Sequence, residues 1–271
     1  MRRARSETFL TRRYTGDGLA RGPEQVVVEE PLSIELDGTL VATTMRTPGH
    51  DFELAVGFLH AEGMLAGAAV RQVKYCANGS AVDTEFNIVT VDTGGVAPPP
   101  EPRLGPTTSS CGLCGAVTIE ALRERLHPLR VDPFPLDVLA AAPDRVRPHQ
   151  NLFDQTGAVH AAAAIDRDGT VLLVREDVGR HNAVDKVVGR LLLDGQLPAS
   201  DRALFVSGRA SFEMVQKAWA GGFAAVVAVS APSALAVETA RAAGLVLAGF
   251  ARNGRMTIYT EVPAPVSKEV H

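Results

Sequence analysis

The sequence predicts an α/β protein, and three features carry that prediction. Residues 24–47 alternate apolar and polar side chains, as half-buried strands do. From about residue 158 onward, short and wholly apolar strands alternate with helix-length segments, the pattern of a mostly parallel sheet covered on both faces. The chain has 271 residues, of which 46% are hydrophobic, enough for one large domain or two modest ones. Aromatics make up only 5%, so Val, Ala and Leu must supply most of the burial.

The elements follow in chain order. The start, MRRARSETFLTRR, is rich in arginine but has neither an apolar stretch nor a small-residue cleavage site. It reads as a solvated, poorly ordered tail rather than a secretory or twin-arginine signal. The strand region 24–47 is broken by Pro31 and by the turn Asp37-Gly38. Phe52, Ala55, Val56 and Leu59 then recur at helical spacing over Asp51 to Glu62, and Gly63 stops that helix. Strand-like pieces occupy 70–76 and 84–92. The stretch GGVAPPPEPRLGPTTSS reads as a loop or mobile linker, because its prolines and glycines fit neither a helix nor an inner strand. Ile119 to Leu126 reads as a short helix. The change of style near HPLRVDPFP, 127–135, sets a domain boundary, with units 1–134 and 135–271.

In the second unit, AVHAAAAID and TVLLV form a strand pair around the turn Asp166–Gly169. The remaining order is helix Asn182–Leu193, strand Ala203–Ser207, helix Ser211–Ala220, strand Phe223–Ser230, helix Pro232–Ala243, and strands Leu245–Phe250 and Met256–Thr260. Ligands of open parallel sheets bind beyond the C-terminal strand ends. Those ends carry Arg175, Arg180, His181, Ser207, Gly208, Arg209, Ser211, Ser230, Ser233, Arg252, Gly254 and Arg255. Arginine forks, hydroxyls and helix N-termini together suit phosphate or pyrophosphate. The competing account, that these arginines are solvated or paired with Glu176, Asp177 and Glu213, explains their number but not their gathering at strand ends.

Composition and motifs also exclude several classes. A net charge of -4 gives no general grip on nucleic acid. The longest apolar run, near Phe223 to Val229, is far shorter than a membrane span, so a soluble, cytoplasmic protein is expected. There is neither a P-loop nor a Rossmann glycine fingerprint. Zinc deaminase chemistry needs H-x-E, and His160 opens HAA instead.

Two of the three cysteines, Cys111 and Cys114, form a single C-x-x-C. Three roles compete. A closed zinc site is short of a second ligand pair, although His127 could contribute. A thioredoxin-like dithiol would sit at a strand-to-helix junction, which the proline-rich lead-in does not offer. A thiolate on a loop before a helix N-terminus can instead be nucleophilic and carry sulfur. Cys76 reads as a packing residue.

SSCGLCG, REDVGRHNAVDKVVG, SGRASFEMVQKA and VAVSAPSALAVETA resemble the FdhD family of formate dehydrogenase accessory sulfurtransferases. PLSIELDG, MRTPGHDFELAVGFLHAEG and GFARNGRMTIYT fit the same family, in order, from about residue 29 to 260. The resemblance implies a small α+β N-terminal domain joined to a cytidine-deaminase-like, three-layer α/β domain. It implies a sulfur carrier and a homodimer. A cysteine desulfurase would load a persulfide on Cys111, with Cys114 assisting. The sulfur would pass to the molybdenum or tungsten bis-(molybdopterin guanine dinucleotide) cofactor, bound as a ligand, before that cofactor enters formate dehydrogenase. The cofactor-binding stretch of the family falls on Phe250, Ala251, Arg252, Asn253, Gly254 and Arg255, and guanosine diphosphate (GDP) should serve as an analogue of half the ligand. No resident metal, nucleic-acid partner or membrane partner is implied. One departure stands out: Ala158 takes the place of the second glycine in the family's T-G-G, and would be strained there if that position needed a positive φ.

Overall fold

The computed structural model describes residues 4–76, 80–100 and 119–261. Strand β1 (Ser6–Tyr14) pairs antiparallel with β2 (Leu19–Val27) over the full length of both. The expected solvated tail is therefore a strand from Ser6 onward. Thr8, Phe9, Thr11 and Tyr14 favour extended backbone, and Thr15 N–H donates to Gly18 O across the turn. The arginines between them masked that preference.

A second sheet of four strands follows, in the order β4-β3-β6-β5. It comprises β3 (Glu30–Leu36), β4 (Thr39–Arg46), β5 (Gln72–Tyr75) and β6 (Ile88–Asp92). β3 and β6 run parallel, and the other neighbours are antiparallel. β3 buries Leu32, Ile34 and Leu36 and leaves Ser33 and Glu35 half-buried, so one face of the sheet is covered. Its cover is helix α1 (Asp51–Ala61), which inserts Leu54, Ala55, Val56, Phe58 and Leu59.

The larger sheet has six strands in the order β12-β11-β10-β9-β7-β8. Its strands are β7 (His160–Asp166), β8 (Val171–Asp177), β9 (Arg202–Val206), β10 (Ala225–Ala228), β11 (Val246–Arg252) and β12 (Arg255–Ile258). β8, β9, β10 and β11 point the same way, while β7 and β12 are antiparallel to their neighbours. One face packs on α2 (Ile119–Arg125), α5 (Arg180–Leu193), α6 (Phe212–Ala220) and α7 (Ala234–Ala243). The other face packs on α3 (Leu136–Val146) through Ala163, Ile165, Phe205 and Val227. Sequence reading missed α3 and the short α4 (Asn151–Thr156). Pro143 lies inside α3, and a proline argues against a helix when only the sequence is in view. Leu129, Val131 and Phe134, from the stretch read as a boundary, pack into the core of the larger sheet.

Helix α1 also meets α5, so it is enclosed on two sides. A Cβ on Gly57 would sit 1.9 Å from the Asp185 carbonyl oxygen, and one on Gly189 would sit 1.8 Å from that of Glu53. Only glycine at both positions allows this approach. Charged groups reinforce it. Arg175 donates to both carboxylate oxygens of Glu53, and Lys217 donates to both of Asp185. Burial alone would lower the Lys217 pKa, but the adjoining Asp185 carboxylate outweighs it and raises the value.

Candidate functional site

The C-terminal ends of β8, β9, β10 and β11, with the start of β7, form one rim. Asp177 organises its first corner from a fully buried position. It accepts hydrogen bonds from the backbone N–H groups of Thr47 and Gly179, from Asn182 Nδ2 and from Lys186 Nζ at 2.6 Å. Lys186 also donates to the Thr47 carbonyl, and Asn182 to that of Met45. The segments MRTPG and REDVGRHNAVDK thus interlock, and that fixes where α5 begins.

Ser207 holds the next corner. Its Oγ accepts from Ala161 N–H at 2.9 Å, and its own N–H donates to the Ala161 carbonyl at 2.9 Å. Gly208 follows. A side chain there would touch the His160 ring at 3.4 Å and the Arg180 stem at 3.8 Å. The Arg180 Nε is buried and has no hydrogen-bond partner among the described residues. His181 forms an ion pair with Glu213, and Ser211 Oγ lies 3.4 Å from the same carboxylate. Burial would raise the Glu213 pKa, but the His181 contact outweighs it and the net shift is downward. Burial lowers the pKa of His160, and the positive charges of Arg180 and His181 add to that effect.

On the α3 and α4 side the rim opens into a cavity of about 520 Å³. Ser207, Ala251 and Arg252 line it, with His160, Val159 and Ala158. Its outer wall comes from Arg147, Gln150 and Phe153. A volume between roughly 300 and 1,000 Å³ is the usual range for a small-molecule site. The last corner is the β11–β12 hairpin, whose turn residues Asn253 and Gly254 have φ of 51° and 68°. Asn-Gly suits a turn that needs positive φ at both central positions. Phe250 also has a positive φ, 52°, beside a register shift in the ladder, and is 55% exposed. Left-handed backbone at a bulky aromatic residue costs energy.

The structure divides the residues expected at the rim. Ser207, Ala251 and Arg252 share the cavity. Arg180 and His181 lie at the start of α5 beside Gly208 and His160. Phe250, Asn253, Gly254 and Arg255 belong to the hairpin at the cavity's edge. The side chains of Arg209, Arg252 and Arg255 make no hydrogen bond or ion pair among the described residues. Two of the strand-end residues have protein partners. Arg175 is engaged by both carboxylate oxygens of Glu53. Ser233 caps α7 by accepting from Ala236 N–H. Cys111 and Cys114 lie outside the described residues, as do positions 101–110 of the proline-rich lead-in. Within its described part, Ala97 is buried and donates its N–H to Thr93 Oγ1. Gly157 takes the left-handed backbone, at φ 65°, and Ala158 is not among the positive-φ residues, so its substitution for glycine brings no strain.

Sequence reading missed the cavity's outer wall because it missed α3 and α4. His160 entered that reading only as a deaminase ligand without its glutamate. Its place at the first residue of β7, opposite Asp177 at the end of β8, was the signal available.

Comparisons with known proteins agree with this architecture. Residues 27–264 match the model of the FdhD/NarQ family. A Streptomyces avermitilis protein named sulfur carrier protein FdhD is 48% identical over 250 residues, covering 88% of this chain and 87% of that protein. A protein of the same name from Mycolicibacterium paratuberculosis is 47% identical over 264 residues, covering 94% and 96%. The crystal structure of a proposed formate dehydrogenase accessory protein from Desulfotalea psychrophila superposes with a TM-score of 0.74 at 23% identity, covering 99% of this chain and all of that one. The extent and identity of these matches leave one assignment: the chain belongs to the FdhD/NarQ family.

Proposed function

We propose that this chain is a sulfur carrier that serves formate dehydrogenase. It takes sulfur from a cysteine desulfurase onto Cys111 and delivers it to a molybdenum or tungsten bis-(molybdopterin guanine dinucleotide) held at the strand-end rim. In the loading step the Cys111 thiolate attacks the outer sulfur of the donor's persulfide. A new S–S bond forms, and the donor cysteine leaves as a thiolate. Cys114 assists the carrier thiol. The six-stranded unit is read as the cytidine-deaminase-like layer of the family, with the zinc residues replaced. The protein is read as a cytoplasmic homodimer. No helix among the described residues is long and apolar enough to cross a membrane.

One observation carries the ligand half of this reading. The cavity of about 520 Å³ opens at the strand ends beside Arg252 and the hairpin's Arg255, whose side chains have no partner among the described residues. Its size suits a single nucleotide. A bis-dinucleotide is larger and would extend over the hairpin, where Phe250 offers a face to a base and Arg255 a charge to a phosphate. The chain's own groups have separable tasks. Ser207 and Gly208 keep the rim narrow and the backbone close. His160, with its pKa lowered, presents a neutral ring at neutral pH. Arg252 supplies charge from the cavity wall.

The test has two arms. Mass spectrometry after incubation with a desulfurase and cysteine should find added sulfur on the wild type and none on Cys111→Ala, with Cys114→Ala impaired less. Equal loss in both variants would overturn the assignment of roles. Calorimetry should find GDP bound at the rim, and wild type without measurable GDP affinity would overturn the ligand reading.

A further inference from the structure

The β1–β2 ribbon has two unlike faces. Alternate residues of a strand share a face. The register therefore stacks Leu10 with Pro23, Arg12 with Arg21, and Tyr14 with Leu19 on one side. All six are exposed, with Leu10 at 76% and Tyr14 at 72%. On the other side Phe9, Arg13 and Ala20 are also exposed, but Thr11, Gly22 and Glu24 are half-buried and Arg13 forms an ion pair with Glu24. The first face is therefore the more exposed of the two and is the outward one.

Left alone, that face is unfavourable twice over. Like charges directly opposite each other destabilise a strand pair, and Arg12 and Arg21 are such a pair. Neither makes a hydrogen bond or ion pair among the described residues. Apolar pairs sit in water on both sides of them. A single carboxylate between the two guanidiniums, set in an apolar surround, would relieve both defects. The ribbon is also tied to the cavity. At its root Arg5 donates to the Glu176 carbonyl, and the Glu176 carboxylate accepts from Leu152 and Phe153 N–H at the start of α4. Phe153 is part of the cavity wall.

We propose that the outward ribbon face docks the protein that receives the cavity's ligand, through an acidic residue of that partner set among apolar ones. Resting on the sulfur-carrier reading, this makes the partner the formate dehydrogenase apoprotein. A second copy of this chain is disfavoured on the same face, because two arginine pairs would meet. An anionic membrane is disfavoured too, since such surfaces are marked by clusters of about four to eight basic residues and this face carries two.

The test immobilises the full-length protein and measures binding of purified formate dehydrogenase apoprotein at low salt. Charge reversal in Arg12→Glu/Arg21→Glu should weaken binding by roughly 10- to 100-fold, while Arg12→Lys/Arg21→Lys retains most of it. Sulfur loading and GDP affinity should not change in either variant. If those two properties are absent from the wild type, the sulfur-carrier reading fails independently of the ribbon. The docking proposal is overturned if the wild type does not bind the apoprotein, or if the reversed variant binds it equally well. It is also overturned if charge reversal instead changes the mass in light scattering, or if the wild type floats with phosphatidylglycerol vesicles and the reversed variant does not.

Discussion

Asp177 links the two sheets through a single carboxylate. Its partners Thr47, Gly179, Asn182 and Lys186 come from both motifs that meet there. Removing one partner of a buried ion pair costs about 3–5 kcal/mol, because the other charge is left unpaired. Asp177→Ala should therefore lower the urea midpoint sharply, and Asp177→Asn less so, since an amide oxygen still accepts hydrogen bonds. Arg252 and His160 make a different kind of prediction, because they line the cavity. Losing a charge-assisted hydrogen bond costs on the order of 1.5–3 kcal/mol, so Arg252→Ala should weaken GDP binding by roughly 10- to 100-fold. Unchanged affinity by calorimetry would make Arg252 an ordinary surface charge. His160 is neutral near pH 7, and acidification through its lowered pKa adds a positive charge at the cavity. Relative to His160→Gln, the wild type should gain affinity for GDP as pH falls, and parallel pH profiles would remove His160 from the site.

Helix α1 illustrates what an element can and cannot announce. Its apolar positions are legible at helical spacing, but they do not reveal that the opposite side is buried as well. That side carries Gly57, whose absent side chain lets α5 approach. Gly57→Ala forces two backbones apart, a change worth about 1–3 kcal/mol when a core is overpacked. Thermal unfolding should show the loss, and an equal change at Gly22, where no atom lies within 4 Å of a Cβ, should not. The β11–β12 hairpin is the reverse case. Asn253-Gly254 signals its turn locally, yet the exposure of Phe250 depends on the register shift between Gly249 and Arg252, which no local pattern encodes.

At the scale of the molecule, the four-stranded and six-stranded sheets are joined by buried charge. Glu53 on α1 meets Arg175 on β8, and its pKa falls to about 2. Burial opposes that fall, but hydrogen bonds from Arg175 and His50 outweigh it. The folded pKa lies below the unfolded one. The resulting stability is therefore present above the ordinary carboxylate value of 4.5 and is lost as pH falls toward 2. Urea midpoints measured across that window should drop less steeply in Glu53→Gln than in the wild type. Parallel slopes would mean that the pair adds no pH dependence.

From residue 158 onward the strand and helix order was legible in the sequence, because a buried parallel sheet needs continuous apolar runs and its helices need an amphipathic period. VLLV, ALFV and VVAV could hardly be anything else. The gathering of arginines and hydroxyls at strand ends was legible for the same reason: once the strands are placed, chain direction places their ends. Tertiary structure alone decided which of those groups are free. Arg175 and Arg252 are the same residue type at equivalent strand ends, yet Glu53, distant in sequence, engages Arg175, and no described residue engages Arg252. The outward face of the ribbon was likewise hidden, because Arg12 and Arg21 become neighbours only through cross-strand register. Sequence specifies local backbone preference and burial period, whereas the pairing of charges depends on long-range approach, and that is fixed only when the sheets and helices pack.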